Sequence, residues 1–311
     1  MGFKSKYTRE QIEAILDAVG QGGGGETPSE PSAPSNGWTG HADVEGLKAI
    51  GWDDEDIACY QKYGVDWDEE DDELHKVTDD NKALNGVLTV SNISTYKERI
   101  VYLPKIDTSG LTDMSNLFKD CYSMVAMPIL DTSKVTVMLN TFSKCHSLVC
   151  VPPLKTSKVT SMMYVCDYCC SLKYFLLDTT SVTNLAYAFR YNYSLASMNN
   201  LSSGKVTNLE AVFSYCYPLT SVQLDMEKAT KVGNAFNLCY SLIHAYIKNA
   251  KLALDLSVAA NLSKESLLYI INNEAATSAI TITLAPYAKT RLANDADVVA
   301  ALANHPNVSL A

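Results

Sequence analysis

Residues 132–148, TSKVTVMLNTFSKCHSL, decide the fold because the pattern in this stretch recurs along the chain. Its core, which begins here at Val135, occurs six times at a spacing of 23 or 24 residues. The six copies begin at Leu111, Val135, Val159, Val182, Val206 and Ala229. A fixed period of this length is typical of repeat proteins, in which each unit buries its apolar face against the next unit.

Four positions of the repeat are apolar in almost every copy and form columns when the copies are aligned. The columns are Met114, Met138, Met162, Leu185, Leu209 and Val232; Phe118, Phe142, Cys166, Phe189, Phe213 and Phe236; Cys121, Cys145, Cys169, Asn192, Cys216 and Cys239; and Met124, Leu148, Leu172, Leu195, Leu219 and Leu242. A single repeat has too few inward side chains to offset a backbone entropy cost of roughly 1–2 kcal/mol per residue. Stacked repeats share their apolar faces, so the sequence predicts a solenoid.

Each repeat divides into two segments with different patterns. The first, as in VTNLEAVFSYC from Val206, has apolar residues at helical or near-helical spacing and predicts a helical or 3₁₀ arm. The second, as in LVCVPPLKTS from Leu148, predicts a short strand that stacks in parallel on its neighbours. Because Pro152 and Pro153 follow at once, some of these strands are only two or three residues long. The predicted class is α/β.

The repeat resembles the BspA-like leucine-rich repeats of surface proteins from anaerobic gut bacteria, mycoplasmas and their phages. The resemblance rests on T-S-x-V-T-x-M-x-x-x-F-x-x-C-x-S-L followed by x-x-x-P-x-L-D-T-S, and it covers residues 104–250. It implies a leucine-rich-repeat solenoid with short parallel strands. This sequence departs from the family pattern beside the column cysteine, where Tyr often replaces the usual Ser or Gly.

Composition and charge narrow the function classes. The chain has 311 residues, 47% of them hydrophobic, and a net charge of −10, with the acidic residues crowded between Asp43 and Asp80. Nucleic-acid binding is not expected, because phosphate contacts need clustered Lys and Arg. No membrane span is expected, and the N-terminus lacks the continuous apolar stretch of a signal peptide.

The pattern predicts five regions. Residues 1–19 contain a short amphipathic helix for anchoring or oligomerisation, with its apolar stripe formed by Ile12, Ile15, Leu16 and Val19. A frayed terminus is the alternative for this segment. Residues 20–40 are a Gly/Pro/Ser linker, 41–106 a small acidic helical or mixed module, 107–250 the repeats, and 251–311 a C-terminal α/β cap.

Within the cap, two segments have strong local patterns. LSKESLLYIINNEA predicts a helix with Ser263 as its N-cap and with Leu267, Leu268, Ile270 and Ile271 turned inward. AITITL predicts an alternating strand.

The candidate catalytic and metal-binding patterns do not form a site. Cys166, Cys169 and Cys170 resemble half of a zinc site, but Cys166 and Cys169 occupy positions that the repeat already requires. Five of the nine cysteines share one column, which favours buried free thiols over disulfides. No serine-nucleophile motif is present, and the histidines are scattered. We therefore expect no enzyme, no cofactor and no metal.

Tyrosine is the residue type that the repeat does not explain. The two columns on either side of the column cysteine contain Tyr122, Tyr168, Tyr191, Tyr193, Tyr215, Tyr217 and Tyr240. Stacked repeats would align them as an aromatic ladder on one surface, suited to sugar stacking or to a protein interface. A half-buried edge that only completes the packing between repeats is the alternative.

Two function classes remain open. The first is a virion structural or adhesion protein, such as a phage head or tail fibre or a decoration protein. Its N-terminal helix would bind other virion proteins, and its repeats would bind a host-surface glycan or protein. The second is a bacterial cell-surface or secreted adhesin. In the first case we expect a homo-oligomer, with a trimer as one form.

Overall fold

Parallel backbone pairing between successive repeats organises the part of the chain that the structure describes. The structure is a computed structural model that describes residues 88–311, apart from 102, 104, 105, 129, 153, 176, 199 and 200. The region preceding the repeats begins with a single helical turn, α1 (Ile93–Tyr96). The predicted N-terminal helix, the linker and most of the acidic module lie outside the described residues.

Equivalent residues of the six repeats are bridged in one continuous parallel series. The series runs Asp113, Val137, Ser161, Asn184, Asn208 and Lys231, and each residue bridges to the next. A second series consists of short strands, which are β1 (Cys150–Val151), β2 (Tyr174–Phe175), β3 (Ser197–Met198), β4 (Ser221–Asp225) and β5 (His244–Lys248). β1 pairs with β2, and β3, β4 and β5 form a three-stranded parallel sheet. The prediction of short parallel strands is confirmed, including the two-residue β1 just before Pro152.

The first segment of each repeat is a series of turns, so the prediction of a regular helical or 3₁₀ arm is wrong. In residues 114–120 every second N–H donates to a carbonyl of the next repeat at 2.8–3.0 Å, through the pairs Met114–Val137, Asn116–Leu139, Phe118–Thr141 and Asp120–Ser143. Of the intervening N–H groups, those of Leu117 and Lys119 close turns of the i→i+3 type, and that of Ser115 donates to Asp113 Oδ1 at 2.7 Å. The backbone also turns left-handed at Asn116 and Asp120, with φ of 61° and 65°. A continuous helix would need those N–H groups for its own i→i−4 bonds.

The four predicted columns form the core. Every member is at most 2% exposed, apart from Val232, which is partly buried against the same core. The six cysteines in these columns are free and buried, which confirms that they pack as thiols. They also form hydrogen bonds that the sequence did not predict. Cys145 Sγ donates to the Phe118 carbonyl at 3.1 Å, and Cys169, Cys216 and Cys239 donate to the matching carbonyl of their preceding repeat.

Threonine side chains add a second set of bonds between repeats. One buried hydroxyl per repeat donates to a carbonyl of the following repeat at 2.7–2.9 Å, from Thr108, Thr132, Thr156, Thr179 and Ser203. These bonds pair carbonyl groups that the stacking of the repeats would otherwise bury without a partner. The register between repeats is therefore fixed by both apolar and polar contacts.

The C-terminal region packs directly on the last repeat. It contains β6 (Leu254–Leu256), α2 (Lys264–Asn272), β7 (Ile280–Leu284), α3 (Pro286–Leu292), α4 (Ala296–Asn304) and β8 (Val308–Leu310). The three strands form a parallel sheet in the order β6-β7-β8. Ser263 caps α2 by accepting a bond from the N–H of Ser266, as predicted, and the Ser266 hydroxyl accepts a bond from Ala245 in β5.

Candidate functional site

The seven tyrosines singled out from the sequence fall into two columns that differ in exposure. The column after the cysteine is exposed, with 38% to 54% of each residue accessible in Tyr122, Tyr193, Tyr217 and Tyr240. The column before the cysteine is half-buried and contains Tyr168, Tyr191 and Tyr215. We call Tyr168, Tyr191 and Tyr215 the inner tyrosine stack, and Tyr193, Tyr217 and Tyr240 the outer tyrosine strip.

The inner tyrosine stack consists of rings in face-to-face contact. The centroids of Tyr168 and Tyr191 lie 4.1 Å apart with planes at 17°, and those of Tyr191 and Tyr215 lie 4.2 Å apart with planes at 24°. Tyr191 is therefore covered on both faces. Because of this packing, the middle ring of the stack offers its edge and hydroxyl to the surroundings, and its faces are not free to stack on a ligand.

The backbone of the inner tyrosine stack is left-handed, which is unusual for a bulky residue. The φ angles of Tyr168, Tyr191 and Tyr215 are 59°, 61° and 65°. Left-handed backbone costs a residue other than Gly, Asn or Asp about 1–2 kcal/mol. The residues at the same position in the other repeats, Asp120, Lys144 and Leu238, are left-handed as well, so this conformation belongs to the repeat. The backbone therefore does not account for Tyr at these positions, and the side chain must.

Two further tyrosines and an ion pair support the stack, and the sequence analysis missed them. Tyr164 and Tyr187 stack at 4.7 Å with planes at 11°. The guanidinium carbon of Arg190 lies 5.0–5.8 Å from the ring centroids of four tyrosines, those at positions 164, 168, 187 and 191. Arg190 also donates two hydrogen bonds to Asp167, at 3.0 and 3.1 Å. The sequence contains a signal that could have predicted both pairs, because Tyr164 and Tyr187 are one repeat apart, as are Asp167 and Arg190.

The charges of this cluster are satisfied internally. Burial raises the pKa of Asp167, and the hydrogen bonds from Arg190 pull it down without fully offsetting the burial. The same bonds to Asp167 raise the pKa of Arg190. The Tyr187 hydroxyl donates to Glu210 Oε1 at 2.7 Å, and this bond raises the pKa of Tyr187. Because Arg190 is already paired and held between rings, the cluster acts as a support for the inner tyrosine stack.

The outer tyrosine strip lies against the inner tyrosine stack at nearly right angles. Tyr193 meets Tyr191 at 88°, and Tyr217 meets Tyr215 at 74°. Within the strip the planes are almost parallel, at 9° for Tyr193–Tyr217 and 4° for Tyr217–Tyr240, but the centroids are 5.5 and 6.0 Å apart. Edge-to-face contacts of this kind hold aromatic rings in place by about 0.5–1.5 kcal/mol per pair.

One of the seven predicted tyrosines stands apart from the others. Tyr122 shares the outer column but lies three repeats from Tyr193, with His146 and Cys170 in between. It contacts His146 instead, at 5.1 Å with planes at 42°. The structure thus brings six of the seven tyrosines together and leaves Tyr122 at the opposite end of the column.

The remaining candidate positions are not part of this cluster. Ile12, Ile15, Leu16 and Val19 lie outside the described residues, so their anchoring role stays a prediction. Within the described residues, no group of His, Cys, Asp and Glu is arranged to hold a metal ion. Of the helices that the structure describes, none has the length and apolar character needed to cross a membrane.

Comparison with known proteins adds one family match. A family model described as a Mycoplasma protein of unknown function, DUF285, matches residues 88–171 and again residues 151–249. The two matches together span just over half of the chain and contain all six repeats and the tyrosine columns. No curated protein matches the chain.

Proposed function

Because the chain belongs to the DUF285 family of Mycoplasma proteins of unknown function, we propose that its repeats are a non-enzymatic binding module of the BspA-like leucine-rich-repeat kind. The bridges and strands that pair at 23–24-residue intervals support a leucine-rich-repeat solenoid, as do the four buried columns. In such solenoids stacked side chains create extended surfaces that bind partners.

The observation that carries this proposal is the exposure of the outer tyrosine strip. The buried columns already supply the core, yet Tyr193, Tyr217 and Tyr240 leave 43%, 40% and 54% of their surface accessible. Exposed aromatic surface that is contiguous over several repeats is typical of an interaction site. Tyrosine suits this task because it combines a rigid apolar ring with a polar tip.

The chemistry of the tyrosines favours binding over catalysis. Contacts with neighbouring side chains raise the pKa of Tyr191 and of Tyr215, and burial raises the pKa of Tyr193. A phenol with a raised pKa stays protonated at neutral pH, so it donates and accepts hydrogen bonds but does not serve as a base or nucleophile. The ligand we propose is a surface glycan or protein.

The setting we propose is a virion, where the repeats would contact the host surface, with a bacterial cell surface as the alternative. This part of the proposal rests on the sequence of residues 1–40, a short apolar stripe followed by a Gly/Pro/Ser-rich segment. Such an arrangement holds a binding domain away from its point of attachment.

The test is binding of the labelled full-length protein to arrays of surface glycans and purified surface proteins. We expect saturable binding to at least one array member. Replacing the outer tyrosine strip, as Tyr193→Ser, Tyr217→Ser and Tyr240→Ser together, should weaken that binding at least tenfold, because each desolvated aromatic contributes about 1–3 kcal/mol. The matched control is Tyr287→Ser, which removes an exposed tyrosine in α3, outside the repeats.

Two results would count against the proposal. Saturable binding that the triple variant leaves unchanged would place the binding face elsewhere on the molecule. The lack of saturable binding to every array member would remove the case for a binding module. Thermal unfolding of the variants, followed by circular dichroism, separates loss of binding from loss of structure.

A further inference from the structure

The orientation of the outer rings follows from the two sets of ring angles. Rings in the inner tyrosine stack touch face to face along the direction in which the repeats stack, so their faces point along that direction. Tyr193 and Tyr217 are turned by 88° and 74° from the inner rings that they contact. The faces of the outer tyrosine strip therefore point sideways, away from the repeat axis.

The spacing within the outer tyrosine strip shows that neighbouring rings do not fully cover each other's faces. Face-to-face contact in the inner tyrosine stack requires centroids about 4 Å apart, whereas the outer centroids are 5.5 and 6.0 Å apart with planes within 9° of parallel. Parallel rings at the larger separation are displaced sideways, and each covers only part of the next. The strip is thus a row of nearly parallel rings, displaced from one another, that continues over three repeats.

The surroundings of the strip are small and uncharged. The residues that directly follow the three tyrosines are Ser194, Pro218 and Ser241. Besides burial, the groups that act on the pKa of Tyr193 are Cys170 and three other tyrosines, none of which is charged at neutral pH. Arg190, which contacts the Tyr191 ring of the inner tyrosine stack, is already paired with Asp167. The groups that act on Tyr193 thus carry no charge at neutral pH, which favours a neutral ligand at this end of the strip.

Building on the function proposed above, we infer that the outer tyrosine strip binds a neutral polysaccharide of β-linked pyranoses, extended along the repeat axis. A pyranose with equatorial substituents has a flat C–H face, which stacks on an aromatic ring. A β-1,4-linked chain is straight, and the spacing of the strip is close to the length of one hexose unit. Each tyrosine therefore takes one sugar ring on its face, and the ring rather than the hydroxyl carries the contact.

Calorimetric titration of the full-length protein tests this inference with defined sugars. The probes are cellohexaose, hexa-N-acetylchitohexaose and β-1,4-mannohexaose, with the disaccharide of each as a short probe and maltohexaose as a curved, α-linked one. At least one β-linked hexamer should bind. The corresponding disaccharide should bind at least tenfold more weakly, because it contacts only two rings, and maltohexaose should also bind at least tenfold more weakly.

Two variants of the strip separate the ring faces from the hydroxyls. Replacing all three residues as Tyr193→Leu, Tyr217→Leu and Tyr240→Leu keeps apolar surface but removes the flat rings, and it should weaken binding of the hexamer at least tenfold. The matching Tyr→Phe triple keeps the rings, so it should bind within about threefold of the wild type. Tyr287→Leu is the control outside the strip.

Three outcomes would overturn the inference. The first is that none of the β-linked hexamers binds. The second is that maltohexaose binds as well as they do. The third is that the Leu triple binds like the wild type while its melting temperature is unchanged. If the hexamers fail but the array binding still depends on the outer tyrosine strip, the proposed binding function stands and only this ligand class is wrong. If neither assay shows binding, both proposals fall.

Discussion

At the scale of single residues, the column cysteines do more than fill space. Each of Cys145, Cys169, Cys216 and Cys239 is fully buried and donates its thiol hydrogen to a carbonyl of the preceding repeat at 3.0–3.1 Å. Asn192, the one residue that replaces cysteine in this column, donates its side-chain amide to the Cys166 carbonyl at 2.9 Å. The column therefore selects a small side chain with a hydrogen-bond donor, which explains why Asn is accepted there.

Substitutions at Cys145 test this explanation. Cys145→Ala removes the donor and leaves a small cavity, so we expect a loss of about 1–2 kcal/mol in the free energy of unfolding. Cys145→Asp buries an unpaired carboxylate beside the Phe118 carbonyl, and it should cost more than about 3 kcal/mol. Urea denaturation followed by fluorescence measures both losses. An Asp variant as stable as the Ala variant would contradict the buried position of this column.

The thiols also predict how stability depends on pH. Burial raises the pKa of Cys239 from an ordinary value of 9.0 to about 12. Because the folded pKa is the higher one, this thiol stabilises the folded state fully below pH 9, and the contribution is lost as the pH rises towards 12. Relative to Cys239→Ser, the wild type should lose about 1.4 kcal/mol between pH 8 and pH 10.

Urea denaturation under reducing conditions at both pH values measures this difference. The serine variant controls for the tyrosines and lysines that also titrate in this range, since both proteins contain them. A stability difference between the two proteins that stays constant with pH would show that the Cys239 thiol is accessible and ionises in the folded state.

At the scale of elements, the first segment of each repeat forms turns, whereas the spacing of its apolar residues alone predicts a helix. The pattern of residues 114–121 fits a helix, but the backbone uses every second N–H to bond the next repeat. That choice depends on a partner strand that lies 23 residues away, and local spacing does not contain this information. The left-handed residues could not be predicted from the sequence either, because a tyrosine such as Tyr187 or Tyr191 gives no local sign of positive φ.

Elements with strong local signals were predicted well. α2 has a Ser N-cap and an inward face of Leu267, Ile270 and Ile271, and β7 alternates buried and partly buried residues over ITITL. For the tyrosine columns, the sequence predicts the alignment of the rings, since that alignment depends only on the period. It could not separate the inner tyrosine stack from the outer tyrosine strip, because ring orientation depends on side-chain torsions and on the Arg190–Asp167 pair.

The N-cap of α2 offers a test at this scale. Ser263→Ala removes the acceptor for the Ser266 N–H, so we expect a loss of about 1 kcal/mol in the free energy of unfolding. The loss should be localised, because α2 contacts the last repeat through the Ser263 N–H bond to the Ile243 carbonyl at 2.8 Å. Relative to the wild type, amide hydrogen exchange in the Ser263→Ala variant should be accelerated more in α2 and β5 than in β1 and β2. Uniform acceleration across all repeats would contradict this expectation.

At the scale of the whole molecule, a stack of repeats has two ends that must be covered. The C-terminal sheet and α2 cover the last repeat, and residues 88–110 precede the first. Stability in such a stack is close to a sum over neighbouring units, so changes at one end reach the other end weakly. We therefore expect the proposed binding surface on the later repeats to be independent of the proposed anchoring by the N-terminal residues.

Deletion of residues 1–19 tests that independence. We expect the truncated protein to unfold at the same urea concentration as the full-length protein but to lose self-association, since the linker separates the two parts. Light scattering after size exclusion measures the mass of the assembly. Leu16→Asp should have the same effect as the deletion, and Glu13→Ala, off the apolar stripe, should have none. A truncated protein that assembles as well as the full-length one would show that the helix is only a tail.

The most direct test of the central claim is to locate the bound ligand by NMR of tyrosine rings labelled in the full-length protein. The array ligand that binds most tightly is titrated in, and single Tyr→Phe variants assign the signals. The account predicts saturable shifts in the ring signals of Tyr193, Tyr217 and Tyr240, with no shift for Tyr287. Shifts confined to Tyr287, or binding at saturation that leaves the three strip signals unmoved, would contradict it.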